Sequence, residues 1–175
     1  MKKILLPFVS LFAAVIAMGS ALAAETPKVG DKAPLIEAQD QDGKTWKLAD
    51  QVGKKAVILY FYPKDDTAGC TKEACGFRDR LDQLDQLGVA VVGVSRDDAE
   101  SHKKFREKNH LTFPLLVDTS GKLTDAYGAA TPDNTKSRRV SFLIDRDGKI
   151  VHVTDMRDAL VHLTELKEAV DKLKK

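Results

Sequence analysis

Cys70 and Cys75 are the two cysteines of this 175-residue chain, and their spacing indicates redox chemistry. The segment around them reads as a strand, a turn and the start of a helix. If both cysteines lie on that helix, their Cα atoms are roughly 8.6 Å apart, beyond the ~7 Å that a disulfide can span. The two thiols could therefore bond only if the start of the helix unwinds, which suggests a redox cycle and not a permanent cross-link.

A buried strand and a helix would position this pair. Residues 56–62 form a continuous apolar run, typical of a central strand buried on both faces. A loop over residues 63–69 follows. Apolar residues then recur at helical spacing until Gly88 ends the helix, namely Phe77, Leu81, Leu84 and Leu87. Cys70 is thus expected in the first turn of a helix that follows a buried strand.

The rest of the chain alternates strands and helices. Asp42-Gly43 and Asp147-Gly148 are hairpin signals. Two further strands are predicted at 89–94 and 115–117. Two helices are predicted, one from Asp97 or Asp98 to about Lys108 and one at 121–127. A terminal amphipathic helix is marked by Leu163, Leu166, Val170 and Leu173. This order predicts an α/β fold with a central mixed sheet covered on both faces and an N-terminal β-hairpin.

The first residues follow the pattern of a secretory signal peptide. Lys2 and Lys3 precede a mostly apolar run, and Ala21-Leu22-Ala23 offers a small-x-small cleavage site. The apolar run is shorter than the ~20 residues that a spanning helix needs. We expect residues 1–23 to be removed and residues 24–175 to form one exported domain in a bacterial periplasm.

Charge gives little indication of a partner. The chain has 28 basic and 26 acidic residues, and loss of Lys2 and Lys3 would leave the remainder neutral. A neutral protein offers no electrostatic reason to expect nucleic acid or an anionic membrane. Export would also make a cysteine pair easy to oxidise, so a structural disulfide is a competing interpretation.

The neighbours of Cys70 suit a reactive thiolate. The first turn of a helix favours an anion, and such sites can lower a cysteine pKa to about 3.5–7.5. Thr67 could turn its hydroxyl toward the sulfur or an incoming oxygen, or could simply cap the helix. Gly69 lets the backbone come close, and Pro63 fixes the exit of the strand or merely ends it.

These residues match a known signature. Pro63-x-x-x-Thr67-x-x-Cys70 resembles the active-site motif of the peroxiredoxins. Cys75, five residues further on, resembles the resolving cysteine of their bacterioferritin-comigratory (Q-type) branch. Likeness continues in Gly30-Asp-Lys-Ala-Pro34, Asp40-Gln-Asp-Gly43, Tyr60-Phe-Tyr-Pro-Lys64, Val92-Gly-Val-Ser95 and Arg139-Val-Ser-Phe-Leu-Ile-Asp145.

The resemblance implies a thioredoxin-like fold and reduction of hydrogen peroxide and organic hydroperoxides. By position, Cys70 is then the peroxidatic nucleophile and Cys75 the resolving thiol. Thr67 and Arg139 match residues that hold the peroxide oxygens and stabilise the thiolate, and Pro63 shields the sulfur. A fixed cation favours a neighbouring thiolate, although Arg139 could also be a surface residue before a strand.

The same resemblance implies a mechanism. Cys70 becomes a sulfenic acid, Cys75 condenses with it, and a thioredoxin-like or other dithiol protein reduces the resulting disulfide. No metal, haem, flavin or nucleotide is required. An internal resolving cysteine makes dimerisation unnecessary, so we expect a monomer. Glu73 matches a position that is usually Glu or Gln in the family, but an ordinary exposed residue of the helix would explain it equally well.

Two features depart from the family pattern. Ala68 stands where relatives usually have proline before Gly-Cys, which could loosen the loop. The stretch 127–138 is short and polar and lacks a common aromatic and basic insert. Peroxide preference and partner docking are therefore the properties that the resemblance defines least.

Two other functions compete with a peroxidase. A thiol-disulfide oxidoreductase on the same fold would normally carry Trp-Cys-x-x-Cys and a proline before the facing strand, but Trp46 lies far upstream and Arg139 leads that strand. A copper carrier would use both thiolates and a histidine. The four histidines are scattered singly, and we expect each to be solvated: His102, His110, His152 and His162.

Overall fold

The computed structural model describes residues 26–173. The predicted signal peptide, residues 1–23, lies outside this range. The strands are β1 (Glu37–Gln39), β2 (Thr45–Lys47), β3 (Ala56–Phe61), β4 (Val89–Ser95), β5 (Leu115–Val117), β6 (Val140–Ile144) and β7 (Ile150–Thr154). The α-helices are α1 (Ala68–Arg78), α2 (Leu81–Gln86), α3 (Ala99–Lys108), α4 (Lys122–Ala126) and α5 (Ala159–Lys172), and a short 3₁₀ helix covers Leu48–Asp50.

A five-stranded mixed sheet in the order β5-β4-β3-β6-β7 is the centre of the fold. Strands β3, β4 and β5 are parallel, whereas β6 is antiparallel to β3 and β7 is antiparallel to β6. Strands β1 and β2 form a separate antiparallel hairpin. The predicted α/β class, the mixed sheet and both hairpins are therefore confirmed.

The alternation of β3 explains why the sheet is covered on both faces. All six residues of β3 are buried. Ile58 and Tyr60 point into a core shared with α1, α2, α3 and α5, and Leu59 and Phe61 point into a second core beneath α4 and the hairpin. Side chains alternate between faces along a strand, so a continuous apolar run fills two cores at once.

The predicted helix after Cys70 is interrupted, which corrects one expectation. Helix α1 ends at Arg78 and α2 begins at Leu81. Arg80 leaves the helical conformation, and its amide donates to the Phe77 carbonyl, three residues back, at 3.1 Å. The apolar spacing does not reveal this break because both helices bury their apolar side chains in the same core.

Helix α1 packs closely on α5. A Cβ at Gly76 would lie only 2.2 Å from Leu163 Cδ1, so any larger residue at this position would force the Leu163 side chain to move. Helix α5 begins at the N-cap Asp158, whose carboxylate accepts hydrogen bonds from the Leu160 and Val161 amides. The α1–α5 contact thus fixes the C-terminal half of the helix that carries both cysteines.

Candidate active site

Cys70 lies in the first turn of α1, close to the end of β3, as the sequence predicted. The residue is only 1% exposed. The first backbone bond of this turn runs from the Thr71 amide to the Thr67 carbonyl at 2.8 Å. The preceding amides have no partner within the helix, and together with the helix dipole they favour negative charge at this position.

Arg139 directly precedes β6, and strand pairing brings it to Cys70. Because Phe61 pairs with Val140, the start of β6 lies beside the end of β3. The guanidinium Nη2 of Arg139 lies 3.4 Å from Cys70 Sγ. Gly69 permits this approach, since a Cβ there would lie 3.0 Å from the same nitrogen.

The other nitrogens of Arg139 hold the guanidinium in place. Its Nη1 contacts Glu73 Oε2, and its Nε donates to the Arg157 carbonyl at 3.1 Å. The side chain is 10% exposed. Burial alone would lower the pKa of Arg139, but the attraction of Glu73 and Cys70 outweighs it and raises the pKa. The group is therefore a permanent cation directed at the sulfur.

Glu73 is fully buried, which decides between the two accounts that the sequence left open. Burial raises the pKa of its carboxyl to about 8, although Arg139 acts in the opposite direction. Oε2 contacts Arg139, whereas Oε1 has no hydrogen-bond partner within residues 26–173. A buried carboxylate with one bare oxygen is an unusual neighbour for a reactive cysteine.

His162 reaches this network from α5, and the sequence reasoning missed it. Its Nε2 lies 2.6 Å from Ser141 Oγ and 3.5 Å from Glu73 Oε1. Its Nδ1 lies 3.4 Å from the Met156 carbonyl, and burial lowers the pKa of the ring to about 4. The helical spacing to Leu166, four residues on, could have indicated that His162 belongs to the buried face.

The expectation of four solvated histidines is thus wrong for His162 and also for His102, both with no exposed surface. His102 lies on α3, and its Nδ1 is 2.9 Å from Asp65 Oδ2. Asp65 also accepts hydrogen bonds from the Tyr62 and Ser101 hydroxyls. This buried cluster ties the loop between β3 and α1 to α3.

Cys75 lies on the same helix as Cys70 and is half-buried. Its Sγ is 3.9 Å from Asn109 Oδ1, and both cysteines are free thiols. Because α1 is continuous from Ala68 to Arg78, the helical separation of about 8.6 Å applies to this pair. The folded helix keeps the two sulfurs from bonding.

Thr67 and Pro63 occupy the loop before α1. Thr67 is the N-cap residue, and its exposed hydroxyl donates to the Lys64 carbonyl at 3.1 Å. Pro63 lines a cavity of about 320 Å³ together with Arg139 and Pro132. Arg139 therefore borders a space large enough for a small molecule. The catalytic roles of Thr67 and Pro63 stay predictions.

The described residues contain neither a cluster of metal ligands nor a membrane-spanning helix. Residues 26–173 contain no group of three or more histidine, cysteine, aspartate or glutamate side chains arranged to hold a metal ion. In the same range, no helix is long and apolar enough to cross a membrane.

The sequence of this chain is similar to the sequences of known proteins. Residues 29–153 match the AhpC/TSA family. The chain is 46% identical over 129 residues to a putative peroxiredoxin Bcp of Coxiella burnetii, a match that covers 70% of this chain and 85% of that protein. It is 43% identical over 134 residues to peroxiredoxin Bcp of Escherichia coli, which covers 73% of this chain and 85% of the relative.

Solved structures agree with these matches. Peroxidoxin BcpB of Mycobacterium tuberculosis superposes with a TM-score of 0.79 at 29% identity, over 85% of this chain and 99% of that one. Peroxiredoxin Q of Xanthomonas campestris gives a TM-score of 0.75 at 29% identity, over 80% of this chain and 92% of that one. The thioredoxin-like peroxiredoxin fold predicted from the sequence is therefore confirmed.

Proposed function

The chain belongs to the AhpC/TSA family and is a thiol-dependent peroxidase of its Bcp (peroxiredoxin Q) branch, and from this premise we propose how its own residues perform the reaction. Cys70 is the peroxidatic nucleophile and Cys75 the resolving thiol. The observation that carries this assignment is the 3.4 Å contact between Arg139 Nη2 and Cys70 Sγ at a helix N-terminus.

The first step forms a sulfenic acid. The Cys70 thiolate attacks the terminal oxygen of the hydroperoxide, the O–O bond breaks, and a proton goes to the departing alkoxide, which leaves as alcohol or water. Arg139 stabilises the thiolate and the negative charge that develops on the peroxide oxygens. Thr67 holds the peroxide at the mouth of the site, and Pro63 shields the sulfur from water.

The second and third steps return the enzyme to its starting state. After the start of α1 unwinds, the Cys75 thiolate attacks the sulfenic sulfur of Cys70 and forms the Cys70–Cys75 disulfide, and the hydroxyl leaves with a proton as water. A thioredoxin-like or other dithiol protein reduces this disulfide by exchange and is itself oxidised to a disulfide. The enzyme works as a monomer because both thiols come from one chain.

We also propose that the enzyme acts after export to the periplasm. The support is the signal-peptide pattern of residues 1–23, which precedes the segment that matches the family. N-terminal sequencing of protein from a periplasmic extract tests this proposal. A start near Ala24 is expected, and intact Met1 in the cytoplasmic fraction would refute it.

Thiol substitutions test the mechanism directly. Purified protein with a dithiol reductant should consume hydroperoxide, and Cys70→Ser should abolish this activity. Cys75→Ser should give one turnover without recycling. Peroxide should remove about two free thiols per chain without producing a covalent dimer. Full activity in Cys70→Ser would refute the assignment, whereas copper binding without peroxide consumption would favour the copper carrier.

A further inference from the structure

Glu73 occupies the segment that the proposed function requires to unwind. It lies three residues after Cys70 and two before Cys75, on the helix that holds them apart. Any movement that brings the two sulfurs into bonding distance must rearrange the residues between them. Glu73 therefore cannot keep its buried position during disulfide formation, and the free energy of its burial raises or lowers the cost of that step.

The folded helix holds the Glu73 carboxylate in a poorly satisfied state. His162 Nδ1 faces the Met156 carbonyl, which can only accept, so the ring proton belongs on Nδ1. His162 Nε2 then accepts from the Ser141 hydroxyl and has no hydrogen to offer Glu73 Oε1, 3.5 Å away. Oε1 is left without a donor, and an unsatisfied buried charge destabilises the state that contains it.

The titratable groups that face Glu73 come from three packed elements and its own helix. They are Arg139 before β6, His162 on α5 and Tyr60 on β3, and on its own helix Cys70 shares Arg139 with Glu73. Arg139 is the one permanent cation among these groups. Burial raises the pKa of Tyr60 well above its usual value, so this hydroxyl stays neutral.

When α1 unwinds, the Glu73 carboxylate escapes its unfavourable burial, and Arg139 loses less in stabilising contacts than Glu73 gains. Glu73 gains water at both oxygens when it leaves the core. Arg139 keeps its bond to the Arg157 carbonyl and borders the cavity beside Pro63, where water can replace the lost carboxylate. The ion pair therefore opposes unwinding less than its burial suggests.

We propose that Glu73 sets the cost of unwinding α1: when Glu73 is ionised, its half-satisfied buried carboxylate destabilises the folded start of the helix and thereby speeds disulfide formation. Glu73 is a positioning residue for the resolving step of the proposed function. It acts through the conformation of α1, separately from any effect of Arg139 on peroxide attack.

The expected pH dependence follows from the same geometry. The folded helix raises the pKa of Glu73 from 4.5 to about 8, whereas the unwound segment exposes the carboxyl to water. Between these values the folded helix binds the extra proton, so its stability relative to the unwound segment falls as pH rises. Unwinding should become easier from about pH 5 to pH 8 and then level off.

Glu73→Gln tests the proposal because it removes the charge and keeps the shape. The glutamine carbonyl can accept from Arg139, and the neutral side chain leaves no buried charge without a donor, so the folded helix should be stabilised. The rate of disulfide formation after one equivalent of hydroperoxide, followed by acid quench and mass spectrometry, should fall at least about tenfold at pH 8 and only about twofold at pH 5. Sulfinic acid on Cys70 at high peroxide should rise in parallel.

Glu168→Gln, an exposed glutamate on α5, is the matched control and should leave both rates unchanged. A Glu73→Gln rate equal to wild type, or a decrease that is the same at pH 5 and pH 8, would overturn the proposal. The reduced wild-type protein provides an independent measurement. Hydrogen exchange at residues 71–74, corrected for the intrinsic pH effect, should show easier opening at pH 8 than at pH 5, and equal opening would also overturn it.

These outcomes are distinct from failure of the proposed function. If peroxide produced no Cys70–Cys75 disulfide in the wild-type protein, Cys75 would not be the resolving thiol. The hydrogen-exchange result would still decide whether Glu73 destabilises the start of α1.

Discussion

Arg139→Lys should slow the attack of Cys70 on hydroperoxide while leaving the fold intact. Arginine contacts three groups at once: Cys70 Sγ, Glu73 Oε2 and the Arg157 carbonyl. A lysine ammonium is a single point on a flexible stem and cannot keep all three directions. When Glu73 is ionised, it attracts the cation at position 139 more strongly than Cys70 does, so lysine should turn to Glu73 and leave the sulfur.

The magnitude follows from the lost contact with the sulfur. Hydrogen bonds to a charged group are worth about 1.5–3 kcal/mol, and the site is nearly closed to water, so little of this is lost to screening. Because about 1.4 kcal/mol changes a rate tenfold, Arg139→Lys should react about 10- to 150-fold more slowly. The decrease should be in the rate constant of sulfenic acid formation.

A single-turnover assay measures this step alone. In a Cys75→Ser background, a sulfenic-acid-specific probe follows Cys70 after mixing with one equivalent of an alkyl hydroperoxide. Arg138→Lys is the matched control, because Arg138 contacts Asp155 and the carbonyls of Gly128 and Ala130 instead of the sulfur. The reasoning would be refuted by a loss of less than threefold in Arg139→Lys, or by equal losses in the two variants.

Two further predictions concern the α1–α5 unit. Gly76→Ala should lower the free energy of unfolding by about 1–3 kcal/mol in a denaturant titration, because the new Cβ would overlap Leu163. Leu163→Ala in the same chain should recover part of the loss. An unchanged denaturation midpoint in Gly76→Ala would contradict this packing. Asp158→Ala should lower the melting temperature at pH 7, because the amides of Val161 and Leu160 hold the pKa of this carboxyl below 3.8. The stability that the Asp158 carboxylate contributes is present above pH 3.8 and is lost as pH falls through the folded pKa. The difference in melting temperature between Asp158→Ala and wild type should therefore shrink toward about pH 3. A difference that stays constant with pH would contradict the capping role.

Local patterns were sufficient for most of the fold. The apolar run of β3 predicted a central strand because it must fill two cores, and Asp42-Gly43 and Asp147-Gly148 predicted hairpins because their glycines adopt positive φ. The break between α1 and α2 was not visible. A helix that stops for two residues and resumes on the same core keeps its apolar spacing.

The site was predictable only where its residues are close in sequence. The types and spacing of Pro63, Thr67, Cys70 and Cys75 predicted the chemistry, because a thiol at a helix start and a second thiol about one and a half turns away indicate a redox pair. The family resemblance added Arg139, 69 residues from Cys70, as a prediction.

Only the tertiary structure decided what surrounds that pair. Pairing of β3 with β6 brings Arg139 to the sulfur, and packing of α5 on α1 brings His162 to Glu73. Burial is a property of the assembled molecule, so the sequence could not distinguish a solvated Glu73 from a buried one. In the proposed mechanism the two cysteines supply the bond, and the packing around Glu73 sets how readily the helix between them opens.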